Sequence, residues 1–270
     1  MSGRCGDLPG RALSTLSTVK VGGFDVADVD RPTLLNWVLE NRPGENESAL
    51  IALAVHVGSL SARNDPGYAS VVNMGSAVYA DGASVVLGAK LAGAKFIQRY
   101  PTTDFGVDLC RALKARLGRP PRVALIGGPA GLAQRAGSAL ARNGVDVVAT
   151  IDGYSASFTD SIGAAARRGP EILFLGLGAP REHHVAIQAA PVLNGCIVVT
   201  CGGWFGFLAG HERRAPMWAQ NAGLEWAFRL AQSPRRLVRR YMIGALATVQ
   251  VAGAAAWTRL LSLAAKQRER

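Results

Sequence analysis

The chain has 270 residues, 49% hydrophobic and 18% charged, with 30 Lys and Arg against 19 Asp and Glu and a formal net charge of +11. That length buries a sizeable core as one large α/β domain or two smaller ones, and the charge draws polyanions: nucleic acid, anionic lipid headgroups or nucleotide diphosphates. Aromatic residues are few and neither basic-aromatic interleaving nor a helix-turn-helix pattern is present, which argues against a base-reading nucleic-acid module.

The first residues, MSGRCGDLPGRALS, lack the continuous apolar stretch of a signal peptide, so the expectation is a chain that stays inside the cell. Cys5, Cys110, Cys196 and Cys201 show no CxxC spacing and no extracellular framework, which predicts reduced thiols, the last two in the core. Asp28-Val29-Asp30 has the DxD form that binds a divalent ion and sugar diphosphate in many glycosyltransferases. Asp30, however, precedes Arg31-Pro32-Thr33-Leu34-Leu35, the pattern of an N-cap with Pro in the first turn, and the capping reading prevails.

Apolar runs suited to buried strands follow at Ile51–Val57, Ala77–Ala80, Val123–Ile126, Val145–Thr150, Ile172–Leu177 and Ile197–Thr200. Helical segments fall between them, near Arg31–Glu40, Gly67–Met74, Ala83–Leu91, Phe105–Leu117, Gly131–Asn143, Ser157–Arg167 and Arg181–Leu193. This alternation predicts an α/β, Rossmann-like fold with a largely parallel sheet and helices on both faces, plus a helical C-terminal appendage. Gly118-Arg119-Pro120-Pro121 either divides residues 1–241 into two lobes or joins a helix to a strand.

Several turns carry chemistry. Asp81 ends a short apolar run and Gly82 allows a tight turn into a helix, so the carboxylate is an N-cap or a general base, and spacing alone favours the cap. Farther on, Arg99 either steadies phosphate charge or pairs with Asp104. Gly127-Gly128-Pro129 and Gly176-Leu177-Gly178-Ala179-Pro180-Arg181 each follow a strand and open a helix, where backbone N–H groups can meet a phosphate. Neither turn has the full GxGxxG fingerprint or the Lys-Ser/Thr of a P-loop. Two such turns in one sheet favour a nucleotide cleft, which leaves a nicotinamide oxidoreductase open, with Asp146 or Asp152 as its ribose carboxylate. His183 and His184 are adjacent on a presumed helix and diverge by about 100°, so no metal site is expected.

The chain's end is basic: Arg229, Arg235, Arg236, Arg239, Arg240, Arg259, Lys266, Arg268 and Arg270 face only Glu269 after Trp226. The Arg229–Arg240 run is a solvated face, a grip on a leaving diphosphate, or an anionic-membrane contact. The 17 residues Met242–Thr258 hold no charge, yet they are short and weakly apolar beside the roughly 20 strongly apolar residues of a spanning helix. The extension 242–270 is therefore expected to lie on a membrane or dock on its own protein.

Assembled, these residues resemble the WecG/TagA/CpsF family, glycosyltransferase family 26 of bacterial cell-surface polysaccharide synthesis. The likeness rests on ADG at Asp81, Arg99 with Asp104, the IGG turn at Ile126, Asp152-Gly153-Tyr154, GLGAPRE and the Gly-Gly at Gly202. It continues through RAP at Arg214, LEW at Leu224, Pro234-Arg235-Arg236-Leu237 and RRY at Arg239. The resemblance implies a metal-independent, inverting enzyme without cofactors. It would transfer an N-acetylhexosamine, of N-acetylmannosamine type or its uronate, from a UDP donor to a polyprenyl-diphosphate-linked sugar at the inner face of the membrane. It implies that Asp81 is the general base, with Arg99 beside it in the catalytic site. Donor contacts would come from His56, Asn73, Gly127, Gly128, Gly178, Glu182, Gly202 and Gly203, and diphosphate contacts from Arg229, Arg236, Arg239 and Arg240. The chain departs from the family where Ala54-Val55-His56-Val57-Gly58-Ser59 replaces a Thr-x-Asn segment, where Glu182-His183 replaces Gln-Glu, where Gly206 replaces an Asp, and where Thr102 replaces a Gly. An inactive homologue that keeps only the fold is the remaining alternative.

Overall fold

The computed structural model describes residues 15–154, 158–213, 215–221, 225–232 and 234–268. The described chain opens with a hairpin, β1 (Thr18–Val21) and β2 (Phe24–Ala27), turned by Gly22 and Gly23, both at positive φ. Sequence reading passed over this pair, although a Gly-Gly between alternating apolar residues is a hairpin signal. Next come α1 (Arg31–Glu40), β3 (Leu50–Val55), α2 (Val57–Ala62), α3 (Tyr68–Asn73), β4 (Ala77–Ala80), α4 (Ala83–Leu91) and α5 (Thr102–Leu117). They are followed by β5 (Arg122–Gly127), α6 (Leu132–Arg142), β6 (Asp146–Ile151), α7 (Phe158–Ala166), β7 (Ile172–Gly176), α8 (Arg181–Ala189) and β8 (Ile197–Thr200). The described chain ends in α9 (Trp204–Leu208), α10 (Met217–Asn221), α11 (Glu225–Gln232) and the 35-residue α12 (Pro234–Arg268).

β3 to β8 form one parallel sheet in the order β4-β3-β8-β7-β5-β6. The four central strands, β3, β8, β7 and β5, are almost wholly buried, as strands covered on both faces must be. Residues of alternate parity enter two core layers. One, around Leu53, Ile126 and Val198, lies under α4 and α8; the other, around Phe105, Phe174 and Trp204, lies under α1, α5 and α6. The Gly118–Pro121 segment joins α5 to β5, and β5 lies in the same sheet as β3 and β4.

Local signals set the helix limits. Asp30 caps α1, its side chain accepting from Thr33 N at 2.9 Å, with Pro32 in the first turn. The other carboxylate of the DxD segment, Asp28, accepts from Lys95, Phe96 and Ile97 backbone N–H groups at 2.8–3.1 Å. These bonds hold its ionised form, with a pKa below the usual carboxylate range although burial pushes the other way. One carboxylate of the pair thus caps α1 and the other builds the loop before Arg99. α5 carries Asp104 in its first turn and Lys114 and Arg116 in its last, matching its dipole, and stops at Gly118 with φ 67°.

α12 packs on α2 and α4. Gly244 makes the approach: a Cβ there would lie 2.2 Å from Val57 Cγ2, and Ala247 and Val251 are buried beyond it. The other side of the helix exposes Met242, Ile243, Leu246, Val249 and Trp257. Among the described residues, no helix is long and apolar enough to cross a membrane.

Candidate active site

In a parallel sheet the turns after the strands collect at one edge, where side chains and backbone N–H groups meet a ligand. The register puts His56, Asp81, Cys201–Gly202, Leu177–Gly178 and Gly128 on that edge. From β5 the chain moves outward to β6, whereas from β7 it moves to β8, so the strand order diverges between β5 and β7.

Asp81 follows β4 directly. Its Oδ1 accepts the Thr102 N–H at 2.6 Å, and its carbonyl accepts Arg99 Nε–H at 3.0 Å. Gly82 is the N-cap residue of α4, with no side-chain cap bond, so Asp81 is not the cap of that helix. Thr102 is buried, its Oγ1 2.9 Å from Tyr79 Oη, and this pair fixes the loop that orients Asp81. Arg99 pairs through Nη2 with Glu225 Oε2, while Asp104 pairs with Arg31 at 3.6 Å. Glu225, the ion partner of Arg99, sits at the start of α11.

His56 closes the neighbouring strand β3 and caps α2, with Nδ1 accepting from Gly58 N at 2.9 Å. As an acceptor Nδ1 carries no proton, so in the neutral ring Nε2 carries it. Gly202, at φ 49°, lies where Nε2 points: a Cβ there would be 3.8 Å from His56 Nε2 and 3.9 Å from Glu182 Oε1.

Glu182 is wholly buried in the first turn of α8. Its Oε2 accepts three backbone N–H bonds, from Leu177 at 3.2 Å, Gly178 at 2.9 Å and Gly202 at 3.0 Å, while Oε1 has no hydrogen-bond partner. Burial pushes its pKa up to about 7, with a further upward push from Asp81, against the lowering by the three N–H groups. The glycine-turn N–H groups expected to face a phosphate therefore already face a carboxyl group of the protein. The β5–α6 turn behaves alike: Gly128 N–H donates to Gly176 O at 3.1 Å, and Gly131 N–H donates to Asp152 Oδ1 at 3.0 Å. Gly127 meets a packing demand, since a Cβ there would lie 2.3 Å from Gly176 O. Gly203, exposed, is the N-cap residue of α9.

The remaining expected residues are placed differently. Asn73 precedes β4 and so belongs to the opposite, N-terminal edge of the sheet from Asp81. There its amide grips the hairpin, Oδ1 accepting from Asp25 N at 2.9 Å and Nδ2 donating to Gly23 O at 3.0 Å. The side chains of Arg229, Arg236, Arg239 and Arg240, and residues Arg214 and Leu224, lie outside the described residues. His183 is buried; its Nε2 donates to Ala54 O at 3.2 Å, so Nδ1 accepts from Tyr68 Oη at 2.6 Å, and burial lowers its pKa to about 4. Cys110, Cys196 and Cys201 are free and buried, their thiol pKa values raised by burial. Among the described residues no group of three or more His, Cys, Asp or Glu side chains could hold a metal ion.

Set against known protein families, residues 19–261 match the model described as the glycosyl transferase WecG/TagA/CpsF family, nearly the whole chain.

Proposed function

The chain belongs to the WecG/TagA/CpsF family of glycosyltransferases of polysaccharide synthesis, and from that premise we propose that it moves an N-acetylhexosamine, of N-acetylmannosamine type or its uronate, from a UDP-sugar to a polyprenyl-diphosphate-linked sugar. The observation that carries this reading is Asp81, held at the sheet's C-terminal edge by Thr102 N–H and by Arg99 at its carbonyl. The acceptor hydroxyl attacks the anomeric carbon from the face opposite UDP and gives its proton to Asp81. The new glycosidic C–O bond forms as the bond to the diphosphate breaks, and UDP leaves with the electron pair, inverting the centre. No metal takes part in this scheme: Arg99 and the arginines Arg229, Arg236, Arg239 and Arg240 meet the developing charge. His56 Nε2, directed at Gly202, suits a hydroxyl or amide group of the donor, and the buried Glu182 supports that edge by accepting the Gly202 N–H.

The acceptor's lipid places the reaction at a membrane. The large apolar side chains exposed on α12, next to its basic ends, support a peripheral position on the inner face of the plasma membrane. The test is UDP release from a panel of UDP-hexosamines and uronates with a synthetic prenyl-diphosphate sugar, using wild type and Asp81→Asn. Transfer should vanish in the variant while UDP still shifts its melting temperature. Unchanged turnover excludes Asp81 as base, and no release from any donor by the wild type identifies a non-catalytic homologue.

A further inference from the structure

Glu225 is the first residue of α11 and is only 8% exposed. Its carboxylate pairs with Arg99, and the two side chains are 10% and 24% exposed, so the contact is largely shielded from water. Arg99 is also held at its backbone, where its carbonyl accepts Arg31 Nε–H at 2.7 Å. Its Nε–H donates in turn to the Asp81 carbonyl at 3.0 Å. A guanidinium is planar, so contacts at Nε and at Nη2 define both its plane and its rotation. With Glu225 removed, the Nε contact is what remains among the described residues to restrain a side chain that carries about 2 kcal/mol of rotamer entropy. Through this ion pair the C-terminal helices reach the strand-end turn that carries Asp81.

We propose that Glu225 is a positioning residue that, through Arg99, sets the orientation of Asp81, so that the catalytic edge is complete only while α11 is docked. The proposal rests on the reading of Asp81 as general base. It assigns the Glu of the LEW segment a role in coupling the appendage to the catalytic edge, distinct from supplying charge to the diphosphate.

The test joins a spectroscopic readout to kinetics. In the full-length enzyme the Arg99 Nε–H resonance, identified by its loss in Arg99→Lys, should exchange slowly with water. Glu225→Gln keeps the shape of the side chain and removes its charge. It should speed that exchange about tenfold or more and lower kcat for UDP release about tenfold, with the donor KM within about twofold; these sizes follow from loss of an ion pair at a positioning group rather than of a substrate contact. Glu225→Asp, which keeps the charge on a shorter arm, should lie between wild type and Glu225→Gln and serves if the Gln variant fails to fold. An unchanged Arg99 resonance overturns the proposal whatever the activity, as does faster exchange with unchanged kcat. Full activity of Asp81→Asn overturns the base assignment alone, since the Arg99 resonance still decides the Glu225 link.

Discussion

Glu182 offers a test that needs no substrate. Its carboxyl is buried, its pKa is raised from 4.5 to about 7, and Oε1 has no hydrogen-bond partner. Between those two values the native protein keeps a proton that the unfolded chain loses. The associated stability is thus fully present below pH 4.5 and is lost as pH rises through about 7. At about 1.4 kcal/mol per pH unit, ionised Glu182 costs the native state about 3 kcal/mol. Glu182→Gln removes the titration while its carbonyl oxygen can still accept the Leu177, Gly178 and Gly202 N–H groups. Urea unfolding of both proteins at intervals from pH 4 to pH 9 isolates the effect as a difference. The variant's stability minus that of the wild type should rise with pH by about 3 kcal/mol, mostly between pH 4.5 and about 7. A difference that stays flat across that range refutes the claim that burial outweighs the three N–H bonds at this carboxyl.

Other expectations follow from contacts of named residues. Glu171 accepts from Arg42 at 3.0 Å, from Arg119 at 2.9 Å and from Arg122 N at 2.9 Å beneath the sheet. Glu171→Ala should lower unfolding free energy by about 3 kcal/mol, the lower end for a broken buried pair because Arg119 is half exposed; a loss under about 1 kcal/mol in urea unfolding contradicts this. Gly106→Ala pushes a methyl to 2.5 Å from the Trp204 ring and should cost about 1–3 kcal/mol by overpacking; a melting temperature no lower than wild type rejects it. Replacing Met242, Leu246 and Val249 on α12 by Ser removes exposed apolar surface without touching the face on α2 and α4. Co-sedimentation with phosphatidylglycerol vesicles should fall several-fold with the melting temperature unchanged; equal sedimentation argues against membrane contact through this face.

Much of the fold was legible because periodicity reports burial. Strands such as Ile172–Gly176 read as continuous apolar runs since both faces are covered, and α6 declared itself by its spaced apolar residues. The short helices α2, α9 and α10 were not legible. They span 5–6 residues, too few for a repeat; α2 and α9 form where the chain turns back after β3 and β8. The α12 question had two answers in sequence, membrane or protein, and the fold shows the helix packed on protein along one side. One side holds Gly244, Ala247 and Val251 against α2 and α4, while the other exposes large apolar side chains. A run without charges does not distinguish its small-residue side from its large one until a wheel is drawn.

The glycine turns show a different limit. Glycines at strand ends announce where backbone N–H groups come close together, and a phosphate is the familiar occupant of such places. They do not announce which anion fills them. Here Glu182, four residues beyond Gly178, and Asp152, at the end of the adjoining strand, each accept N–H groups from those turns. An acidic residue in the first turn of a helix is the ordinary partner of that helix's own dipole, and for Glu182 that modest reading was present in the sequence. It also changes where donor recognition must be sought. With these N–H groups engaged, His56 Nε2 is a polar atom turned toward Gly202, whereas Glu182 Oε1 is itself buried. In the scheme proposed above, the docking of α11 bears on turnover through the Glu225–Arg99 pair.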